Sequence, residues 1–437
     1  MLPFFLRTVL CADGERLPTL VDRTTGVPDF DAVLWAVSSL RNSGYASATI
    51  AQALRSLAVL YVALRSNEID LAKRLREGHL LDPADLEAIF SIVSVTSEST
   101  AGEIVSDTLD EQVLPRKVVS LETLRMSQTP RAQNTDVAPE TISIRLYYIR
   151  KFLKWRVDQE ILRANSEKRA TLISLRDLVD DWLKDKTPSH TERTTLGNRM
   201  GINGTTQALL LDVLRPSHPE NPWTDEFVRA RNELIVNAFL ALGVRRGELL
   251  GVRISDWRSD ELYVLRRPDD KEYPRPDEPN TKTYDRVLPV TAELYQMMKS
   301  YNLLRHAVVR KNRKTTPFHI VSNSGDPLSA SETNNVFRAL DVIPGLAGIT
   351  PHVLRHTYCE NLAEELHNNG EDDNEILSTL RRLGGWSDNS NSPRRYTKRF
   401  AEERAHAAGL SAQKKLYITQ QSIIKATMRE LSTTVVI

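Results

Sequence analysis

Three separated stretches hold residues whose types could do chemistry at a phosphate. The first is Leu242-Gly243-Val244-Arg245-Arg246-Gly247-Glu248-Leu249-Leu250. The second is Thr350-Pro351-His352-Val353-Leu354-Arg355-His356-Thr357. The third runs Leu383-Gly384-Gly385-Trp386 and on to Arg394-Arg395-Tyr396. A guanidinium is a planar donor fork that stays charged and suits phosphate oxygens. Imidazole can give or take a proton near neutral pH. A tyrosine hydroxyl, with a pKa of about 10, must be positioned and deprotonated before it attacks. A single arginine or histidine is more often structural, so the weight lies in the three stretches together. Tyr396 also stands in a basic setting: from Arg381 to Lys415 nine basic residues face three acidic ones, a concentration that draws a polyanion. Tyr147, Tyr148 and Tyr358 sit among apolar residues and read as packing groups, and Tyr417 lies past the motif.

The elements that must position these residues follow from periodicity. Leu2–Val9 and Arg16–Val21 read as strands around the turn Asp13-Gly14. Helices are expected from Phe30, from about Thr49 as N-cap, and from Asp82-Pro83 to Val95. A further helix begins at Glu140, with Ile144, Tyr147, Tyr148, Phe152 and Trp155 at helical spacing. Arg145, Arg150, Lys151, Lys154 and Arg156 interleave with them, a basic face suited to phosphates. Residues 96–139 are rich in Ser, Thr, Glu and Asp and read as a long acidic and polar insertion. Residues 166–204 are polar, with Pro188 and three glycines, and read as a linker region. Helices then follow over Thr205–Leu214 and Asp225–Leu242, and short strands over Leu250–Ile254, Glu261–Arg266 and Arg286–Val290.

This gives a mostly α N-terminal part and an α+β second part with helices around a small antiparallel sheet. The expected division is a hairpin extension over 1–28, a helical domain over 29–165, the linker, a second domain over 205–410 and a C-terminal tail over 411–437. In the tail, Ile418, Ile423, Ile424, Met428 and Leu431 form an apolar stripe at helical spacing.

Composition narrows the class. Of 437 residues, 41% are hydrophobic and 26% charged, a globular balance that excludes collagen-like and wholly disordered chains. No stretch reads as the ~20 apolar residues that cross a bilayer, so no membrane is expected. Two cysteines, Cys11 and Cys359, cannot build a disulfide framework, which fits a reducing, cytoplasmic setting. The net charge is +1, but Ser66 to Gln112 holds eleven acids against three bases. One acidic block thus masks a basic remainder, and such asymmetry suggests a polyanionic partner. No phosphate-binding Gly-x-x-x-x-Gly-Lys-[Ser/Thr] loop and no carboxylate cluster for two metals is present, so no cofactor and no metal is expected.

Read jointly, the three stretches resemble the tyrosine recombinases, the phage-integrase family, whose hallmark is Arg…Lys…His-x-x-Arg…His/Trp…Tyr. Arg245 stands in the family's Gly-x-Arg-x-x-Glu-Leu context with Glu248 at the acidic position. His352 and Arg355 match His-x-x-Arg, and His356 repeats the histidine that often follows. Trp386 matches a position usually His, Tyr396 the nucleophile, and Lys282 the hairpin lysine in Thr281-Lys282-Thr283-x-x-Arg286-x-x-Pro289. Lys271 is a rival to Lys282 without its strand context. Trp386 and Tyr396 lie ten positions apart, one more than the family spacing, and Asn389–Pro393 absorbs the extra residue. The resemblance covers Thr205 to Arg404 well and the first half only in general pattern.

The resemblance implies roles. Arg245 and Arg355 would clamp the non-bridging oxygens, His352 would act as acid/base on the tyrosine side, and Lys282 would protonate the leaving 5′-oxygen. Trp386 would hold a phosphate oxygen, while Glu248 and His356 would stand behind the reacting groups. It also implies a site-specific DNA recombinase or integrase working through a 3′-phosphotyrosyl link, with a mobile genetic element as the expected setting. The partners would be double-stranded recombination sites and further copies of the chain, up to a tetrameric synapse. The first half would be a core-site DNA-binding domain contacting DNA through Arg145, Arg150, Lys151 and Lys154, joined by Arg394, Arg395 and Lys398 near the nucleophile. The tail would dock on a neighbouring protomer. A tyrosine-based type I topoisomerase and an inactive DNA-binding accessory protein are the alternatives.

Overall fold

The computed structural model describes residues 3–95, 137–188, 200–279 and 284–434. The expected insertion, apart from its last three residues, and Lys282 lie outside these. The chain divides into two compact units, residues 1–193 with 275–277 and residues 194–274 with 278–437.

In the first unit, strands β1 (Phe4–Leu10) and β2 (Arg16–Asp22) pair antiparallel from Phe4↔Asp22 to Leu10↔Arg16. Gly14, with φ 94°, takes the tight turn between them. Helix α1 (Phe30–Trp35) is capped by Asp29 and runs into a π-helical segment, Ala36–Arg41. Helix α2 (Ser47–Ser66) starts earlier than expected. Its N-cap is Ala46, and Thr49 already donates its backbone N–H to the Ala46 carbonyl inside the first turn. By length and composition α2 could cross a membrane, with mean hydropathy 1.4, but two thirds of that stretch is buried as a core helix.

Helix α3 (Leu71–Arg76), too short to leave a periodic signal, is capped by Asp70. Helix α4 (Pro83–Val93) opens with a capping box between Asp82 and Asp85 and Pro83 in its first turn. Helix α5 (Pro139–Ile161) packs against α2 and against α6 (Ser166–Asp185). The linker reading of 166–185 is thus overturned. Asn165 caps α6, which buries only Leu172, Val179 and Leu183 in a core with Trp35, Leu57 and Phe152. So sparse a stripe hides a helix in a polar sequence.

In the second unit, α7 (Gly204–Val213) precedes α8 (Glu226–Leu242), capped by Asp225. The strand expected over Leu250–Ile254 is not formed: helix α9 (Arg246–Gly251) occupies its start, because the Glu248 carboxylate caps the Arg245 N–H. Strands β3 (Glu261–Val264) and β4 (Arg286–Pro289) form an antiparallel pair. Helices α10 (Ala292–Lys311), α11 (Ala330–Leu340), α12 (Pro351–Asn368) and α13 (Asp373–Gly384) complete the unit with α14 (Arg394–Thr434). Leu234, Phe239, Leu288, Tyr301 and Phe337 lie in its main core. The expected tail continues α14 without a break, and Leu416, Tyr417 and Ile424 are exposed on it. The side chains of Ile418, Ile423, Met428 and Leu431 lie outside the described residues.

Candidate active site

Helix α8 ends at Gly243, whose φ of 57° is left-handed. The turn releases Arg245 just ahead of α9. Glu248 accepts from the Arg245 backbone N–H at 2.8 Å and from its guanidinium at 3.2 Å. The Glu248 side chain is fully buried and also accepts from Arg286 of β4 at 2.7 Å. Arg286 donates in addition to the Leu383 carbonyl at 2.8 Å.

Arg355 is buried in α12 and donates to the carbonyls of Gly243 and Gly384. Arg245 shares the Gly384 acceptor. Both guanidinium groups lie over the Trp386 ring, Arg355 at 4.4 Å and Arg245 at 5.5 Å from its centroid. Burial and the nearby Arg245 charge push Arg355 down to about 10, still protonated at neutral pH. Like charges held this close are relieved by an anion. Trp386 reaches its place because α13 ends with Gly385 at φ 67°, and a Cβ on Gly384 would run into the indole.

Helix α12 starts with Thr350 as N-cap and Pro351 in its first turn. His352, Arg355, His356 and Cys359 follow at i, i+3, i+4 and i+7, one helical face. The Tyr396 hydroxyl of α14 lies 2.9 Å from His356 Nδ1, and His356 Nε2 lies 3.0 Å from His352 Nε2. Tyr396 is only 5% exposed, packed with Cys359, Ala363, Ile376, Leu380 and Phe400. Burial raises its hydroxyl far above the ordinary tyrosine range. Burial, with His352, Arg395 and Arg355 behind it, pushes His356 down to about 4. His352 is lowered too, first by desolvation and then by Arg355, Arg395 and Arg245. Cys359 is pushed up to about 11 by burial.

A groove of about 770 Å³ opens beside this cluster, lined by Tyr284, Arg286, Arg381, Arg382, Trp386 and Asp388 among others. The structure therefore brings together Arg245, Glu248, His352, Arg355, His356, Trp386 and Tyr396. Lys282 lies outside the described residues, and Lys271 is exposed in the excursion between β3 and β4. Arg394 and Arg395 are exposed near Tyr396, and Lys398 lies 4.0 Å from Glu402.

The basic residues of α5 divide by partner. Arg145 donates to the Val93 and Val95 carbonyls at 2.6 and 2.8 Å, tying α5 to the end of α4. Arg150 is bidentate on Asp180 of α6. Lys151 bonds the Tyr45 hydroxyl at 3.1 Å and lies over the Tyr147 ring, while Lys154 is exposed. Cys11, Asp13 and Glu15 come close enough at the hairpin turn to offer three ligand atoms, but Glu15 pairs with Arg41.

Two participants escaped sequence reasoning. Arg286 stood in the quoted motif, and its signal was a charge at the head of a short, otherwise apolar strand. Cys359 lies seven residues after His352, the helical repeat that puts both on one face.

Residues 221–403 match the model of the phage integrase family, a span that contains the whole cluster. Over that segment the chain is similar to the phage integrase family. The tyrosine recombinase XerC of Thermodesulfovibrio yellowstonii is 27% identical to this chain over 150 residues, 33% of this chain and 46% of that protein. The chain thus spans less than half the length of that curated relative. Among solved structures, a XerH site-specific recombinase bound to difH substrate aligns at 16% identity over 59% of this chain and 68% of its own, with TM-score 0.34. A lambda integrase tetramer bound to a Holliday junction aligns at 15% identity over 90% and 95%, with TM-score 0.29. The likeness to the phage integrase family is carried by the matched segment and the XerC relative.

Proposed function

We propose that the protein is a site-specific DNA recombinase of the tyrosine class, cutting and rejoining strands through a 3′-phosphotyrosyl intermediate. The observation that carries the reading is the convergence of Arg245, Arg355 and Trp386 beside a buried tyrosine held by a histidine. In this reading Tyr396 Oη attacks the phosphorus and the bond to the 5′-oxygen breaks. Arg245 and Arg355 stabilise the charge that develops on the non-bridging oxygens. Trp386 supplies an indole N–H and shapes the pocket, but cannot move a proton. Lys282 protonates the leaving oxygen. Glu248 holds Arg245 in place and is itself held by Arg286. The bond energy stays in the enzyme–DNA link, so a 5′-hydroxyl from another strand can rejoin it without an external energy source.

The partners in this reading are two duplex core sites and further copies of the chain, assembling as a tetramer. The first unit serves as the core-site DNA-binding domain, with the half-buried Lys151 and the exposed Lys154 on its basic face. Arg394, Arg395 and Lys398 hold DNA beside Tyr396. The apolar stripe read in the C-terminal tail docks on a neighbouring protomer, and the host is a mobile genetic element.

The test is strand exchange between two DNA sites, found by sequencing fragments covalently attached to the protein. Wild-type protein should exchange strands between two copies of the recovered site, and Tyr396→Phe should bind the site without cutting it. Relaxation of supercoils by a monomer without exchange would point instead to a topoisomerase.

A further inference from the structure

The Tyr396 hydroxyl has a histidine on it, and it is not the histidine of the His-x-x-Arg motif. His356 Nδ1 lies 2.9 Å from Tyr396 Oη, and its other ring nitrogen lies 3.0 Å from His352 Nε2. We propose that His356 is the immediate proton acceptor of Tyr396 and that His352 is the second member of a two-histidine relay leading to the surface. The proposal rests on the recombinase reading and names a catalytic group within it.

The two contacts allow few proton arrangements. If Tyr396 donates to His356 Nδ1, then His356 carries its proton on Nε2 and donates to His352 Nε2, leaving His352 protonated on Nδ1. In the attack, the Oη–P bond forms and the P–O5′ bond breaks. The Oη proton passes to His356 Nδ1, and the His356 Nε2 proton passes to His352, which becomes the imidazolium. The leaving 5′-oxygen takes its proton from Lys282. Rejoining runs the same transfers backwards, so the relay ends each cycle as it began and needs no outside reagent.

Placement suits the two rings to these parts. His356 is 7% exposed and His352 is exposed, so the chain runs from a buried oxygen to solvent. The groups that face the rings are Arg355 and Arg395, with Arg245 also near His352. These charges and burial keep both imidazoles neutral, the form that can accept. Arg355 and Arg395 also favour the departure of a proton from Tyr396 Oη, against the burial and the Cys359 contact that raise it. No histidine other than His356 contacts that oxygen among the described residues.

The relay is tested on the full-length protein with a pool of nicked duplexes randomised across the core, whose released fragment traps the covalent adduct. Wild-type protein should give adduct and Tyr396→Phe none; failure of this control overturns the recombinase reading and the relay with it. Asn at position 356 places an amide near the Nδ1 position but cannot relay a proton. His356→Asn should therefore retain the pool in a binding gel and form adduct at least about 100-fold more slowly. His356→Ala should be equally slow, and added imidazole should restore part of its rate, more with the more basic imidazoles. Wild-type rates in His356→Asn, with Tyr396→Phe dead, would overturn the relay and leave the recombinase reading standing. Nitrogen NMR of wild-type protein with labelled histidine needs no variant to fold. A bare Nδ1 on His356 and a protonated Nδ1 on His352 support the relay, and the opposite tautomers overturn it.

Discussion

Arg245 and Arg355 share one acceptor: the Gly384 carbonyl takes hydrogen bonds from the first at 3.2 Å and from the second at 2.8 Å. The two residues stand 110 positions apart, Arg245 just ahead of α9 and Arg355 within α12, and a single main-chain oxygen ties their guanidinium groups together. Trp386, two residues on, lies under both.

Glu248 is the counterpart of that arrangement on the other side. Its fully buried carboxylate binds Arg245 and Arg286. Removing one partner of a buried ion pair leaves charge uncompensated, at a cost of about 3–5 kcal/mol. Glu248→Ala should lose stability of that order in urea unfolding. It should also slow adduct formation, since Arg245 loses two of its anchors. A variant as stable as wild type would remove Glu248 from this role.

Gly243 makes a sharper case. A non-glycine residue at its φ of 57° costs about 1–3 kcal/mol in strain, and its Cβ would also meet the Tyr358 ring. Gly348, in the same unit at φ 78°, has nothing within 4 Å of its Cβ position. Gly348→Ala should therefore show the strain alone. Gly243→Ala should lose distinctly more stability and also misplace Arg355, which donates to its carbonyl. Equal losses in urea unfolding would mean that the Tyr358 contact is relieved cheaply.

His319 sets an acid limit on stability. It is wholly buried against Trp257 and Tyr301, beside Arg305, and is pushed down to about 3, first by burial and then by Arg305. Between that value and the unfolded value of about 6.5 the unfolded chain binds more protons. The stability from the neutral ring is thus fully present above about pH 6.5 and drains away as pH falls, by several kcal/mol in total. Urea midpoints at pH 7.5 and pH 5 should differ strongly in wild type and less in His319→Leu. An unchanged pH dependence in the variant would assign the acid limb to other groups.

The basic face of α5 should split into two behaviours. Lys154 is exposed and makes no side-chain hydrogen bond of the kind that holds Arg150, so Lys154→Ala should leave the melting temperature nearly alone and reduce the salt dependence of DNA binding by about one unit of slope. Arg150 is bidentate on Asp180, so Arg150→Ala should lower the melting temperature first. Reversed results would place Arg150, not Lys154, on the phosphate backbone.

Much of the site was legible because its side chains need particular chemistry in fixed local frames. His352, Arg355 and His356 share a helix face by spacing alone, and Gly243 and Gly385 end helices where only a left-handed residue fits. The elements legible beforehand were those with dense apolar periodicity, such as α5 and α8. What escaped depends on tertiary contact. No local pattern shows that the Gly384 carbonyl joins two arginines, or that Arg286 reaches Glu248 across 38 positions. Helix α6 was hidden because three buried leucine and valine side chains suffice to dock it on α5. The order of the two histidines was hidden too: the resemblance put His352 on the tyrosine side and His356 behind the reacting groups, and only the distances put His356 on the hydroxyl.

The most direct test of the account is the identity of the residue joined to DNA. Wild-type protein is trapped on a nicked duplex, digested, and the peptide carrying the nucleotide remnant is sequenced by mass spectrometry. The account predicts a phosphodiester on Tyr396, joined to a DNA 3′ end, within the peptide that follows Arg395. A link to Tyr358 or Tyr417, or an adduct that survives Tyr396→Phe, would contradict it.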